Sequence, residues 1–166
     1  MVKLEVKIDD FDLSKLPLLS CLSEQEMAVF REQGDACSFD PGDTILKRGE
    51  PDKSVYFMIH GCAHVLNYSS SGRAVTYASA AKGEMFGEMA AIDGLPRSAW
   101  VCAISYCELI KIREETFMGF VKNNSDFAIS VLRKLSSNIR ELDRRLINIL
   151  SLGAEQRVCI EIISMA

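Results

Sequence analysis

The sequence has no long apolar run, no basic stretch and no closely paired cysteines, and each absence removes a class of protein. No segment approaches the roughly 20 consecutive apolar residues needed to cross a bilayer. The first twelve residues mix Lys3, Lys7, Glu5, Asp9 and Asp10 with apolar ones and lack the apolar run of a signal peptide. No basic run exceeds Arg144-Arg145 and the formal net charge is -4, so direct binding of nucleic acid by this stretch alone is not expected. The six cysteines (Cys21, Cys37, Cys62, Cys102, Cys107 and Cys159) contain no C-x-x-C pair. Without an export signal they read as reduced, mostly buried thiols, and the expected compartment is the cytoplasm. No nucleophile sits in a recognisable setting with a base, so the expectation is a protein that is not an enzyme.

What is present is ordinary globular material. Hydrophobic residues make up 48% and charged residues 25% of 166, enough for one core domain and an appendage. Residues 14 to 34 read as helical, with Ser23 and Glu26 forming a capping-box signal. From Cys37 the texture changes to short runs between turns. Strands are expected at 44–47, 54–59, 62–68, 74–80, 98–103 and 107–112. Turns fall at Phe39-Asp40-Pro41-Gly42-Asp43, Arg48-Gly49-Glu50-Pro51-Asp52, Ser69-Ser70-Ser71-Gly72 and Lys82-Gly83-Glu84. Short strands at this spacing predict a sandwich, jelly roll or barrel.

The last third is helical in pattern. A short segment covers 117–121, and Ser125 is read as the cap of a long run. In it Ala128, Leu132, Leu135, Ile139, Leu142, Leu146 and Ile149 recur at steps of four and three. That alternation is a heptad seam, flanked by Arg133, Lys134, Arg140, Glu141, Asp143, Arg144 and Arg145. A stripe this narrow suits a two-stranded coiled coil better than a helix lying on its own barrel. Ser151-Leu152-Gly153 is read as a break, and apolar residues resume from Val158 to Ile163, as in the opening helix of a further domain.

The densest chemistry lies in Gly83 to Ala99. Gly87 through Ile92 can form one or two helical turns whose first amides lack intrahelical partners, and Gly87 permits close approach of an anion. Arg97 offers a planar fork suited to phosphate and Ser98 a hydroxyl. A carboxylate repels phosphate, so Glu88 fits a sugar hydroxyl, and the set describes a ribose phosphate. A Glu88–Arg97 salt bridge with no ligand fits the same residues.

Phe86-Gly87-Glu88-Met89 followed by Pro96-Arg97-Ser98-Ala99-Trp100-Val101 resembles the phosphate-binding cassette of the cyclic nucleotide-binding domains, those of the catabolite activator protein/FNR family of bacterial regulators in particular. Val55 to Gly61 and the turns at 39–43, 48–50 and 82–84 fall where that family places its barrel turns, and the likeness runs from about residue 14 to the end. It implies an α+β, mainly β fold: a jelly-roll barrel with flanking helices at 1–123, a dimerisation helix at 124–151, and at 154–166 the first helix of a winged-helix domain through which DNA would be bound. It implies that Gly87, Glu88, Met89, Arg97 and Ser98 hold ribose and cyclic phosphate, with Val65, Tyr77, Ala80 and Met85 as the apolar wall near sugar and base. Where the family's cyclic AMP sensors carry a Thr-Ser pair on the long helix, this chain has Leu142 and Asp143. Asp143 can accept from the amino group of adenine or from the N1 and N2 donors of guanine. Cyclic AMP is the implied ligand, with cyclic GMP as the alternative, and the implied partner is a second copy of the chain.

Other signals are weak. His60 and His64, four apart on a strand, lie about 13 Å apart and cannot share one ion without a sharp bend at Gly61. Cys102 and Cys107 read as core packing, Trp100 as a residue beneath the barrel, and two cysteines ahead of the barrel are too few for an iron–sulfur cluster.

Overall fold

The computed structural model describes residues 8, 11–13 and 16–151. The chain divides into two units, Met1–Ala128 and Ile129–Ala166. In the first, helix α1 (Glu24–Gln33) leads into strands β1 (Asp35–Phe39), β2 (Thr44–Leu46), β3 (Val55–His60), β4 (Cys62–Tyr68), β5 (Ala74–Ala81) and β6 (Met85–Phe86). Helix α2 (Glu88–Asp93) follows, then β7 (Trp100–Ala103), β8 (Cys107–Ile112) and α3 (Glu114–Asn123). The long helix α4 (Ser125–Ser151) begins in the first unit and makes up the described part of the second.

The strands form two antiparallel four-stranded sheets, β1-β8-β3-β6 and β2-β7-β4-β5. Their order is that of a jelly roll. Between the sheets lies an apolar cluster that includes Leu46, Tyr56, Met58, Ala63, Phe86, Val101 and Leu109. The first sheet is also covered on its other face. Phe57 meets Phe30 of α1 edge-on at 5.2 Å, and Phe30, Phe117, Phe120 and Phe127 continue that layer through α3 into α4. Edge-to-face rings of this kind add about 0.5–1.5 kcal/mol per pair beyond the area they bury.

The capping box forms: the Ser23 hydroxyl accepts from the Glu26 amide and the Glu26 carboxylate accepts from Ser23 N. Helix does not extend back to residue 16, however. Residues 17–21 are turns held by Leu19 N→Leu16 O and Leu22 N→Leu19 O bonds, because Pro17 and Ser23 break the run. At the start of α4 the cap is Asn124 rather than Ser125. Its Oδ1 accepts from Phe127 N at 2.9 Å, and its Nδ2 donates to Glu26 and to Cys21 O. The break expected at 151–153 and the helix expected at 154–166 lie outside the described residues.

Two further expectations change. Trp100 lies not beneath the barrel but on its outside, opposite in alternation to Val101, with Tyr68 edge-on at 5.7 Å and Lys47 Nζ 5.7 Å above the ring. Cys107 is fully buried as core, whereas Cys102 turns outward and is half-buried like Cys21, Cys37 and Cys62. Burial pushes the Cys37 thiol up to about 11, which keeps it protonated and unreactive at neutral pH.

Candidate functional site

The segment from β6 to β7 is shaped by one glycine. Gly87 adopts φ 86° and ψ 0°, the left-handed region, and serves as N-cap of α2 without a side-chain cap. A Cβ placed there would lie 2.7 Å from Arg97 Nη1 and 3.0 Å from Ser54 O. Both conformation and space therefore demand glycine. The first amides of α2 have no intrahelical carbonyl to bond, which leaves a row of donors beside Arg97.

Arg97 is the centre of the site. Its side chain enters the protein and the residue is 3% exposed. Nη1 donates to Gly87 O at 2.7 Å, and Nη2 donates to Ser54 O at 2.6 Å and to Asp52 Oδ2 at 2.5 Å. The loop between β2 and β3 also holds its backbone, through Arg97 N→Glu50 O and Gly49 N→Arg97 O. The Nε–H is buried and has no partner. A charged guanidinium with an unpaired donor in the interior costs free energy unless something completes it.

The acidic partner of Arg97 is Asp52, from the loop read only as a turn. Burial raises the Asp52 carboxyl, but the hydrogen bonds from Arg97 and Ser54 and the Arg97 charge outweigh it, and the pKa falls below its ordinary 3.8. Glu88, at the first position of α2, is itself buried.

The remaining expected site residues divide by location. Met89 and Ser98 are exposed at the surface of the cassette, and Ser98 Oγ lies 3.8 Å from Met89 Sδ. Val65 is half-buried against the interior cluster and Ala80 belongs to it. Tyr77 sits half-buried at an irregularity in β5, where Val65 pairs with Ala78 and Leu66 with Thr76. Burial raises its phenol pKa. Met85 departs from the wall assigned to it. It pairs with Phe57, the residue that faces α1, while its neighbour Phe86 stacks on Tyr56 at 5.5 Å inside the barrel. A strand presents alternate residues to opposite faces, so the interior position belongs to Phe86. Leu142 and Asp143 are on α4 in the second unit, both exposed.

Two residues near the cassette carry no signal in the sequence. Asp52 is one. The other is Asn67 of β4, whose Nδ2 donates to Ser98 O at 3.4 Å and whose Oδ1 is buried without a partner. Among the described residues no group of three or more His, Cys, Asp or Glu side chains comes together to hold a metal, and no helix is long and apolar enough to cross a membrane.

Comparison with known proteins agrees with this geometry. The cyclic nucleotide-binding domain family matches residues 36–124, which span β1 through α3 and the whole cassette. A "cAMP-activated global transcriptional regulator CRP" of Pasteurella multocida is 26% identical over 124 residues, 74% of this chain and 59% of that protein. A "cAMP-dependent protein kinase regulatory subunit" of Aspergillus niger is 30% identical over 105 residues, 63% of this chain and 25% of that protein. The chain thus spans less than two thirds of the length of these curated relatives. Among solved structures, the Thermus thermophilus catabolite activator protein superposes with a TM-score of 0.68 at 25% identity, over 81% of this chain and 63% of that one. With the family match covering more than half of its residues, and the jelly roll and cassette in place, the chain belongs to the cyclic nucleotide-binding domain family.

Proposed function

We propose that this domain is a sensor of cyclic AMP in a dimeric transcription regulator of the catabolite activator protein/FNR type, acting in the cytoplasm without chemically altering its ligand. The observation that carries the reading is the state of Arg97. Two of its three nitrogens are committed to Asp52, Ser54 and Gly87, and the third is buried with a hydrogen to donate and nothing to receive it. A cyclic phosphate beside the first turn of α2 accepts from Nε and from the helix amides together. Glu88, next in the chain to Gly87, supplies a carboxylate for a ribose hydroxyl. The two curated relatives are both named for cyclic AMP, which supports adenine over guanine.

Dimerisation is supported by the outer face of α4. Leu132, Ile139, Leu142 and Leu146 are 47–59% exposed. Apolar side chains recurring at heptad spacing on a surface mark a helix that pairs. Ligand held more tightly in one arrangement of the paired helices shifts the population toward that arrangement, and a downstream DNA-binding domain would follow it. The kinase relative favours a second reading, a regulatory module of an enzyme, which shares the ligand and differs in the partner.

Isothermal titration of the purified protein with cyclic AMP and cyclic GMP tests the reading. Expected are a dimer by light scattering, tighter binding of cyclic AMP, and a loss of about 100-fold or more for Arg97→Ala, with Arg97→Lys weakened because it keeps the charge but not the fork. Circular dichroism checks that each variant is folded. Undiminished affinity in a folded Arg97→Ala protein would remove this residue from the site.

A further inference from the structure

We infer that Asn67 is a specificity-determining residue that accepts a hydrogen bond from the amino group of the ligand's base. This deepens the cyclic nucleotide reading and rests on it.

Strand β4 sends Ala63 and Val65 toward the interior cluster, while Leu66 pairs with the outward Trp100. Asn67, two positions beyond Val65, therefore faces the same side as the apolar wall. A plain barrel wall calls for an apolar residue here. The amide present is oriented by the backbone: Nδ2 donates to Ser98 O, and reversing it would set Oδ1 against that carbonyl, acceptor against acceptor. Oδ1 is thereby fixed as the free end. It is buried and has no donor, which costs free energy while it stays so.

Among the described residues only two buried side-chain nitrogen or oxygen atoms lack a partner, Asn67 Oδ1 and Arg97 Nε. One is an acceptor and the other a donor. The two residues are linked, since Asn67 Nδ2 donates to the carbonyl of Ser98, the residue that follows Arg97. A bare anion completes Arg97 and leaves Asn67 unsatisfied. A ligand that carries both a phosphate and an N–H completes both. With Glu88 serving the sugar, the base is the part of the ligand with no acceptor of its own in the barrel. Adenine has an exocyclic amine at position 6, where guanine has a carbonyl oxygen that Asn67 Oδ1 would repel.

The test compares cyclic AMP with purine riboside 3′,5′-cyclic monophosphate, which lacks only the 6-amino group, and with 2′-deoxy cyclic AMP. These are titrated into the wild-type protein and into Asn67→Leu, with Asn67→Asp as a variant that keeps an acceptor. The wild type is expected to favour cyclic AMP over the des-amino ligand by about tenfold. Asn67→Leu should bring that ratio to about one while still binding both, and Asn67→Asp should retain part of it. An unchanged ratio in a binding-competent Asn67→Leu protein overturns the inference and leaves the sensor reading standing. Loss of discrimination against the 2′-deoxy ligand instead would put Asn67 on the sugar and also overturn it. Failure of the wild type to bind cyclic AMP at all would sink the sensor reading and this inference with it.

Discussion

The two sheets of the barrel are made from different material. Strand β8 of the first buries Cys107, Leu109, Ile110 and Ile112, with the interior cluster on one side and the aromatic layer of α1, α3 and the start of α4 on the other. Strand β5 of the second sheet buries Ala80 and leaves most of its length exposed or half-buried. A sheet covered on both faces gains packing from each, while one covered on a single face contributes less to stability and retains room to accept a ligand. Of the two buried unpartnered atoms among the described residues, Asn67 Oδ1 lies in β4 of the second sheet, whereas Arg97 precedes β7 and its guanidinium is held by Ser54 and Gly87, which flank β3 and β6 of the first. The doubly covered core lies in the first sheet, and the second keeps an open face.

Paired substitutions can break this contrast. Phe57→Ala removes a fully buried ring between the first sheet and α1 and should cost about 3–5 kcal/mol in denaturant unfolding. Tyr77→Ala on the second sheet should cost less than about 1.5 kcal/mol and weaken ligand binding instead. Equal stability losses at the two positions would erase the distinction.

A smaller effect sharpens it from the side of charge. The Asp52 carboxyl titrates below its ordinary 3.8 in the folded protein, so its pairing with Arg97 stabilises the fold above that pH and is lost as pH falls through the lower folded value. The difference in stability between wild type and Asp52→Asn should be constant from neutrality to about pH 4 and shrink below it. Because the Asp52 side chain is 42% exposed, solvent screening holds the difference to about 0.5–1 kcal/mol. Urea midpoints across that range measure it, and a difference that grows in acid would reverse the assignment.

How much the sequence discloses follows the same division between local and distant. Strands β4 and β8 fall on the residues expected of them, β4 because Gly61 and Ser69-Ser70-Ser71-Gly72 bound it. The cassette is legible for a similar reason, since its glycine, carboxylate and arginine lie within eleven residues of one another, from Gly87 to Arg97. Strand β1 is missed because Asp35-Ala36-Cys37 shows no clear alternation, and β6 because two residues are too short for a period. Met85 is exchanged with Phe86 for want of a register. Asp52 and Asn67 are beyond local reading altogether. Asp52 reaches Arg97 across 45 positions and Asn67 reaches Ser98 across 31, so only the closed barrel brings them together.

The most direct measurement is the Arg97 Nε–H resonance in nitrogen-15 NMR spectra, assigned through its loss in Arg97→Lys and followed as cyclic AMP is added. Capture of a phosphate oxygen by this donor predicts a large downfield proton shift and slowed exchange with water at saturation. A resonance that stays in place while the ligand binds elsewhere would contradict the account.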